Sequence, residues 1–346
     1  MQKTKEGFGP FEYLLFAGLT FLTFAVCVSL GSVALPLKDT VTLIWNALWR
    51  LPLPETAVSP SIILAVRLPR VICVALTGAS LALCGAAMQG LLRNPLADGS
   101  TLGVSSGASL GAVIAIAFGI TLPSLPLAGT MVMAILFAFL SLIIILTLAY
   151  KLDYSLSTHT IILIGVIYSM FVSSILSFII TYASDRVRQI TFWTMGSLNG
   201  SSYLNAIILL AALLVFGGII FLHARELNAF AISEDNARHI GINTRRIKLI
   251  IMVSVSVLIG VSVSIGGAIG FVGLVTPHMV RMMTGPNHKK LFPASLFGGA
   301  IFLMLADLLA RLLLNPTELP LGVVTSFVGA IVFVFIFYRS RRTGRA

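Results

Sequence analysis

Charge is what this sequence has least of. Only 10% of its 346 residues are Asp, Glu, Lys or Arg, and none occurs in 13–37, 71–92, 99–150, 154–184, 189–224, 249–280, 291–306 or 319–338. An ionised side chain in hydrocarbon costs a few kcal/mol or more, so intervals of this length read as membrane spans. With 58% hydrophobic residues and a mean hydropathy of +1.02, the composition excludes a soluble globular domain. Cysteine is scarce, and Cys27, Cys73 and Cys84 all fall inside apolar intervals with no disulfide or metal spacing. Five histidines, at 159, 223, 239, 278 and 288, are scattered without metal-ligand spacing. There are no paired carboxylates inside the apolar intervals, no Walker A pattern, and no mid-membrane proton-relay acid apart from peripheral Asp307. No catalytic or metal-binding residues are assigned, and the chain has no P-loop of its own. If transport is active, its energy enters from another chain.

What is present is a series of spans, each needing about 20 apolar residues. Interval 99–150 holds two, turning at Pro123 and Pro126. Interval 249–280 divides at Gly266, Gly267 and Gly270 into a full span and a short one. The expectation is an all-α polytopic membrane protein with a single transmembrane domain and ten helices. They lie near 12–34, 67–90, 101–120, 127–150, 158–182, 203–223, 247–266, 271–284, 292–313 and 320–338. Lys3 and Lys5 precede the first span, and Arg339, Arg341, Arg342 and Arg345 follow the last. Positive residues stay on the cytoplasmic face, so both termini are expected inside and the number of spans even. The net charge of +11 is this bias rather than a nucleic-acid patch. The first apolar run is too long for a signal peptide and reads as an uncleaved span. Outside, Trp45 and Trp49 form an interfacial anchor in segment 36–66, while 183–202 forms a short surface helix and turn.

The largest polar segment within the spanning body is 224–246, expected on the cytoplasmic side. Ser233 caps a short helix whose first turn carries Glu234 and Asp235, and Gly241 stops it. Such a helix reads as a contact for a cytoplasmic partner, against the plainer reading of a solvated connector. Gly99, Gly103, Gly107 and Gly111 form a ladder at spacing four that lets another helix approach closely. Ser169, Ser173, Ser177 and Thr181 share one face of the fifth span. They line an aqueous path, or they serve helix packing and bond back to their own carbonyls. Thr325, Ser326 and Gly329 of the tenth span are candidates for the same path. Asp307 and Arg311, at i and i+4 near the outer end of the ninth, read as a weak intrahelical pair that presents the arginine outward.

Six ordered stretches together resemble one family. They are Arg67 to Arg70, Thr77 to Gly111, Trp193 to Leu198, Ser233 to Asn243, Gly267 to Ser295 and Leu305 to Ser326. The chain from about residue 60 to 338 resembles the FecCD-like permease subunits of ABC importers for iron-siderophores, haem and cobalamin (type II importers).

The resemblance implies a permease dimer, two cytoplasmic ATPase subunits that bind ATP and Mg, and an external substrate-binding protein. The setting it implies is the bacterial inner membrane. It favours the path reading for Ser169, Ser173, Ser177, Thr325 and Ser326. It also implies cytoplasmic gates at Asn94 to Leu96 and at Leu156, Ser157 and Thr158. ATPase coupling would involve Glu234, Asp235, Arg238 and Gly241, and docking of the binding protein would involve Arg67, Arg70 and Arg311. Asn236 and His239 depart from the usual pattern of the coupling block. The expected cargo is a large metal chelate, ferric siderophore first, then haem or cobalamin. The alternative is an ion-coupled secondary carrier, which predicts uptake without an ATPase and an essential mid-membrane acid.

Overall fold

The computed structural model describes residues 7–31, 36–52, 60–121, 128–315 and 317–342. The described residues form helices and connecting turns, with no strand among them. The terminal positions Lys3, Lys5 and Arg345 lie outside the described residues, as do Pro123 and Pro126.

Among the described residues, seven helices are long and apolar enough to cross a membrane: Pro10–Ser29, Pro60–Leu91, Gly129–Leu152, Thr158–Tyr182, Tyr203–Leu222, Thr244–Gly266 and His288–Leu312. The other three expected positions hold Val104–Ala117, Val272–Thr284 and Leu321–Arg342. Val104–Ala117 has 14 residues and rises only about 21 Å, short of the hydrocarbon thickness. The shortfall has a local cause. Gly103 takes φ +70 and starts this helix, so Gly99 falls in a separate 3-10 turn before it. The expected four-glycine ladder is therefore broken, and only Gly107 and Gly111 share its α-helix.

The second long helix starts at Pro60, seven residues before the expected boundary. Pro69 has no N–H and crowds the preceding turn, and the chain widens into a π turn at Ile63–Arg67 just ahead of it. There the Leu68 N–H donates to Ile63 O rather than to Leu64. Arg67 thus sits within a continuous helix.

Pro60–Leu91, Thr244–Gly266 and His288–Leu312 form the buried centre, whereas Pro10–Ser29 and Thr158–Tyr182 are mostly uncovered in the single chain. Small residues permit the closest approaches. A Cβ on Gly78 would collide with the Gly299 backbone, one on Gly85 with Gly273, and ones on Gly107 and Gly111 with Gly129–Leu152 neighbours Ser141 and Met133. With no water to expel from between helices in lipid, such backbone contact supplies the packing energy.

Polar contacts between distant segments mark two ends of the bundle. Arg70 meets Asp307 and Glu318 at one end. Gln89, some 28 Å along the same helix at 1.5 Å per residue, meets Leu274 O and Arg281 at the other. The Gln89 end also holds the Asn228–Asn287–His288 cluster and the 224–246 segment.

Candidate translocation surface, gate turns and coupling segment

Thr158–Tyr182 buries only Ile161, Ile164, Gly165 and Val172. Ser173 and Ser177 are exposed on its free face and Ser169 is half-buried. Ser177 Oγ donates to Ser173 O at 3.0 Å, and Thr181 Oγ1 to Ser177 O at 2.8 Å. Those hydroxyls are satisfied within the helix, so the stripe is accessible yet needs no water to satisfy its protons.

Thr325 does not share this exposure. It is fully buried and donates to Gly322 O at 3.2 Å, which corrects its assignment to the path. Gly322 abuts Met195 and Ala268, and Gly329 abuts Phe271. At spacings of three and four, those glycines put Thr325 on the packed face. Ser326, one residue on, is half-buried and lies near Gly270. The free face of Leu321–Arg342 is apolar, with Val323, Phe327, Ile331 and Val334 exposed.

The two expected gate turns share a local design. Arg93 and Leu156 have φ of +48 and +52, and each directly precedes the turn residue of interest, Asn94 or Ser157. Asn94 Oδ1 accepts the Leu96 N–H at 2.9 Å, leaving Leu96 exposed. In the second turn Asp153 organises the backbone. Its carboxylate accepts the N–H groups of Ser155 and Ser157, and also hydroxyl hydrogen bonds from Ser155 and Thr160. Hydrogen bonding from Ser155 and Ser157 holds the carboxyl well below the usual carboxylate range. Ser157 then caps the helix by accepting the Thr160 N–H, and Thr158 is the first helical residue.

At the same end, Ala224–Ile232 is followed by the short helix Glu234–His239. Ser233 Oγ accepts the Asp235 N–H at 3.2 Å, and Gly241 takes φ +86 just past the helix. Asp235 and Arg238 are exposed, as are Ile232 and Ile240 at 74% and 70%. Two bare isoleucines thus flank the short charged helix. Glu234 turns inward and meets both Arg238 and Lys248 at 2.8 Å. Lys248, which the sequence reading did not single out, is 1% exposed.

The three arginines expected to dock a binding protein lie together at the opposite end, but each is only 7% exposed. Arg67 Nη1 donates to Ser29 O at 3.2 Å, and Arg311 donates to Cys27 O and Leu30 O at 3.0 Å each. Both guanidiniums therefore satisfy carbonyls at the C-terminus of Pro10–Ser29, the negative end of its dipole. Arg70 contacts Asp307 at 2.9 Å and Glu318 at 2.8 Å. Asp307 is shared, since Arg311 Nε approaches its Oδ2 at 3.0 Å in an ion pair poorly aligned for a hydrogen bond. The expectation of a solvated, weak Asp307–Arg311 pair with an outward arginine is thus corrected. Buried among helix ends, the guanidiniums face inward.

Among the described residues no cluster of His, Cys, Asp and Glu is placed to hold a metal ion.

A nearly all-helical polytopic bundle with uncovered apolar faces and a polar segment stapled to one end is the architecture of a membrane permease. The chain belongs to the FecCD transport family, whose model matches residues 19–339. It is 38% identical over 332 residues to an uncharacterised ABC transporter permease, YvrB, of Bacillus subtilis, covering 95% of this chain and 94% of that one. It is 37% identical over 320 residues to the cobalamin import system permease BtuC of Halobacterium salinarum, covering 92% and 84%. It is 36% identical over 282 residues to the hemin transport system permease HmuU of Yersinia pestis, covering 80% and 83%. Its fold is similar to a metal-chelate type ABC transporter in an inward-facing conformation, with TM-score 0.83, 29% identity, and coverage of 96% and 100%. The chain is a transport subunit and not itself an enzyme.

Proposed function

We propose that this chain is the permease of an ATP-driven importer that moves a large metal chelate into the cytoplasm, with ferric siderophore first and haem or cobalamin next. In this reading two permeases pair, most simply as a homodimer. Substrate passes along Ser169, Ser173, Ser177 and Ser326, with gates at Asn94, Leu96, Ser157 and Thr158. Two ATPase subunits bind ATP and Mg and sit against Glu234, Asp235, Arg238 and Gly241. A binding protein delivers the chelate to the arginine-rich end. The setting is a bacterial inner membrane, with both chain termini cytoplasmic.

The observation that carries the reading is the 233–243 segment. It presents a charged helix flanked by exposed Ile232 and Ile240 on a chain that lacks a P-loop. The relatives named for cobalamin and hemin support a bulky chelate as cargo. Nothing supports the secondary carrier. Among the described residues the one buried acid, Asp307, is committed to Arg70 and Arg311.

Docking by Arg67, Arg70 and Arg311 now requires their internal contacts to open, so the proposal assigns these residues first to holding the helix ends that form the docking face. The test is reconstitution in liposomes with a cognate ATPase and binding protein. Labelled ferrichrome, hemin and cyanocobalamin are the probes. Uptake of one of them only with internal or external ATP on the ATPase side supports the reading. Ion-gradient-driven uptake without the ATPase overturns it.

A further inference from the structure

We propose that Lys248 is a positioning residue that ties the 233–243 segment to the gate turn before Thr158–Tyr182, so that displacement of one is passed to the other. The inference rests on the ATP-driven reading above but concerns residues that reading does not assign.

Lys248 lies near the start of Thr244–Gly266 with 1% exposure. An ammonium carries three donors and no acceptor. Here Nζ lies 2.8 Å from Leu156 O, and 2.8 and 2.9 Å from the two carboxylate oxygens of Glu234. One buried cation therefore bonds the coupling segment and the gate turn at once. A buried ion pair is weak evidence for stability, because desolvation offsets most of the attraction. Its value is geometric: if Glu234 leaves alone a buried charge is stranded, and if Leu156 O leaves alone a buried ammonium donor is stranded.

Leu156 is a poor choice for its site on local grounds. It is a fully buried, non-glycine residue with φ +52, and its N–H bonds to Asp153 O at 2.9 Å. Strained positions of this kind persist where surroundings fix them. The next residue, Ser157, caps the helix that carries the serine stripe. A second tether runs in parallel. The Arg245 guanidinium lies 4.5 Å from the Tyr150 ring and 4.2 Å from the Tyr154 ring, on either side of the turn's start. On the other side, Glu234 also holds Arg238, whose Nε lies 3.3 Å from Thr244 Oγ1. The connected path is Arg238, Glu234, Lys248, Leu156 O, Ser157 and the stripe.

The experiment uses the full transporter with its ATPase, spin-labelled at Asn236→Cys on the coupling segment or at His159→Cys beside the gate. Distances between the two protomers are measured with and without ATP and vanadate. In an otherwise wild-type background both distances should shift with nucleotide. In Lys248→Met the 236 distance should still shift, while the 159 shift falls at least threefold. Glu234→Gln, which keeps size and an acceptor, should give a smaller loss of the same kind. The swap Glu234→Lys with Lys248→Glu restores the ion pair but supplies no donor for Leu156 O, so it should not recover the shift at 159. A wild-type shift at 159 in both Lys248→Met and Glu234→Gln overturns the relay. So does loss of the shifts at 236 and 159 in equal proportion, which marks a purely structural lysine. If the wild type shows no nucleotide response at 236, the ATP-driven reading fails instead.

Discussion

Arg70 and Asp307, 237 residues apart in sequence, meet at 2.9 Å where the start of one central helix crosses the end of another. The carboxylate is 1% exposed and is approached from the other side by Arg311. Glu318, at 37% side-chain exposure, completes a four-residue network that reaches the surface.

Removing the shared acid leaves two buried guanidiniums without their main counter-charge. Asp307→Ala is expected to destabilise the protein by about 3–5 kcal/mol, the usual cost of breaking a buried pair from one side. Glu318→Ala, at the wetter edge, should cost about 1 kcal/mol or less. Thermal unfolding in detergent measures both, and equal effects would mean that the network is solvated throughout.

Charge reversal at Arg311 follows from the same geometry. Arg311→Glu would bring a carboxylate against Asp307 and two helix-terminal carbonyls. The expected result is loss of folded permease in size-exclusion profiles, well before any change in the rate or salt dependence of binding-protein capture. A well-folded variant that binds more slowly would instead establish Arg311 as a docking residue.

Glycine contacts give a contrast within one structure. Gly85→Ala forces a methyl group into the Gly273 backbone and should cost about 1–3 kcal/mol through overpacking. Gly218 lies in a helix with nothing near its would-be Cβ, so Gly218→Ala should be neutral or stabilise by up to about 1 kcal/mol. The difference in melting temperature between the two variants checks the packing argument.

What the sequence revealed follows from which forces are local. Charge-free intervals mark hydrocarbon directly, and the Ser233 cap and Gly241 stop act within a few residues, so all were legible. The face of a helix is less so. Thr325 was grouped with Ser326, although Gly322 and Gly329, three and four residues away, already marked the packed side. Lys248 was hidden more deeply. Beside Arg245 and Arg246 it looks like one more positive flank, and its carbonyl partner lies 92 residues back. The burial of the three arginines was hidden for a similar reason: Arg67 and Arg311 bond backbone carbonyls of the first helix, which carry no sequence signal, and the acids that hold Arg70 lie more than 230 residues on.

The serine stripe makes a prediction that separates path from lipid. Because Ser177 bonds back to Ser173 O, Ser177→Ala should leave stability within about 0.5 kcal/mol and uptake within about twofold. Ser173→Cys should react with a water-soluble maleimide in the assembled transporter, and a bulky adduct there should stop uptake. Reaction only with membrane-dissolved reagents would put this face in the bilayer.

Asp153 sets a pH expectation for the turn that leads into Thr158–Tyr182. Its hydrogen bonds to Ser155 and Ser157 depress its pKa below the ordinary 3.8. A depressed carboxyl contributes stability that is fully present above the unfolded value and is lost only as pH falls through the folded one. From pH 8 to 5 the group stays ionised in both states, so the turn should not loosen across that range. Asp153→Asn replaces one acceptor oxygen by an amide that cannot accept the Ser157 N–H, and its effect should be independent of pH there. Cleavage by trypsin after exposed Lys151, corrected for the protease's own pH profile, is the measurement. The variant should be cut several-fold faster than wild type by a constant ratio from pH 5 to 8. A ratio that converges toward one as the pH falls to 5 would mean that Asp153 is already protonating in the folded turn, and the hydrogen-bond account of its ionisation would be wrong.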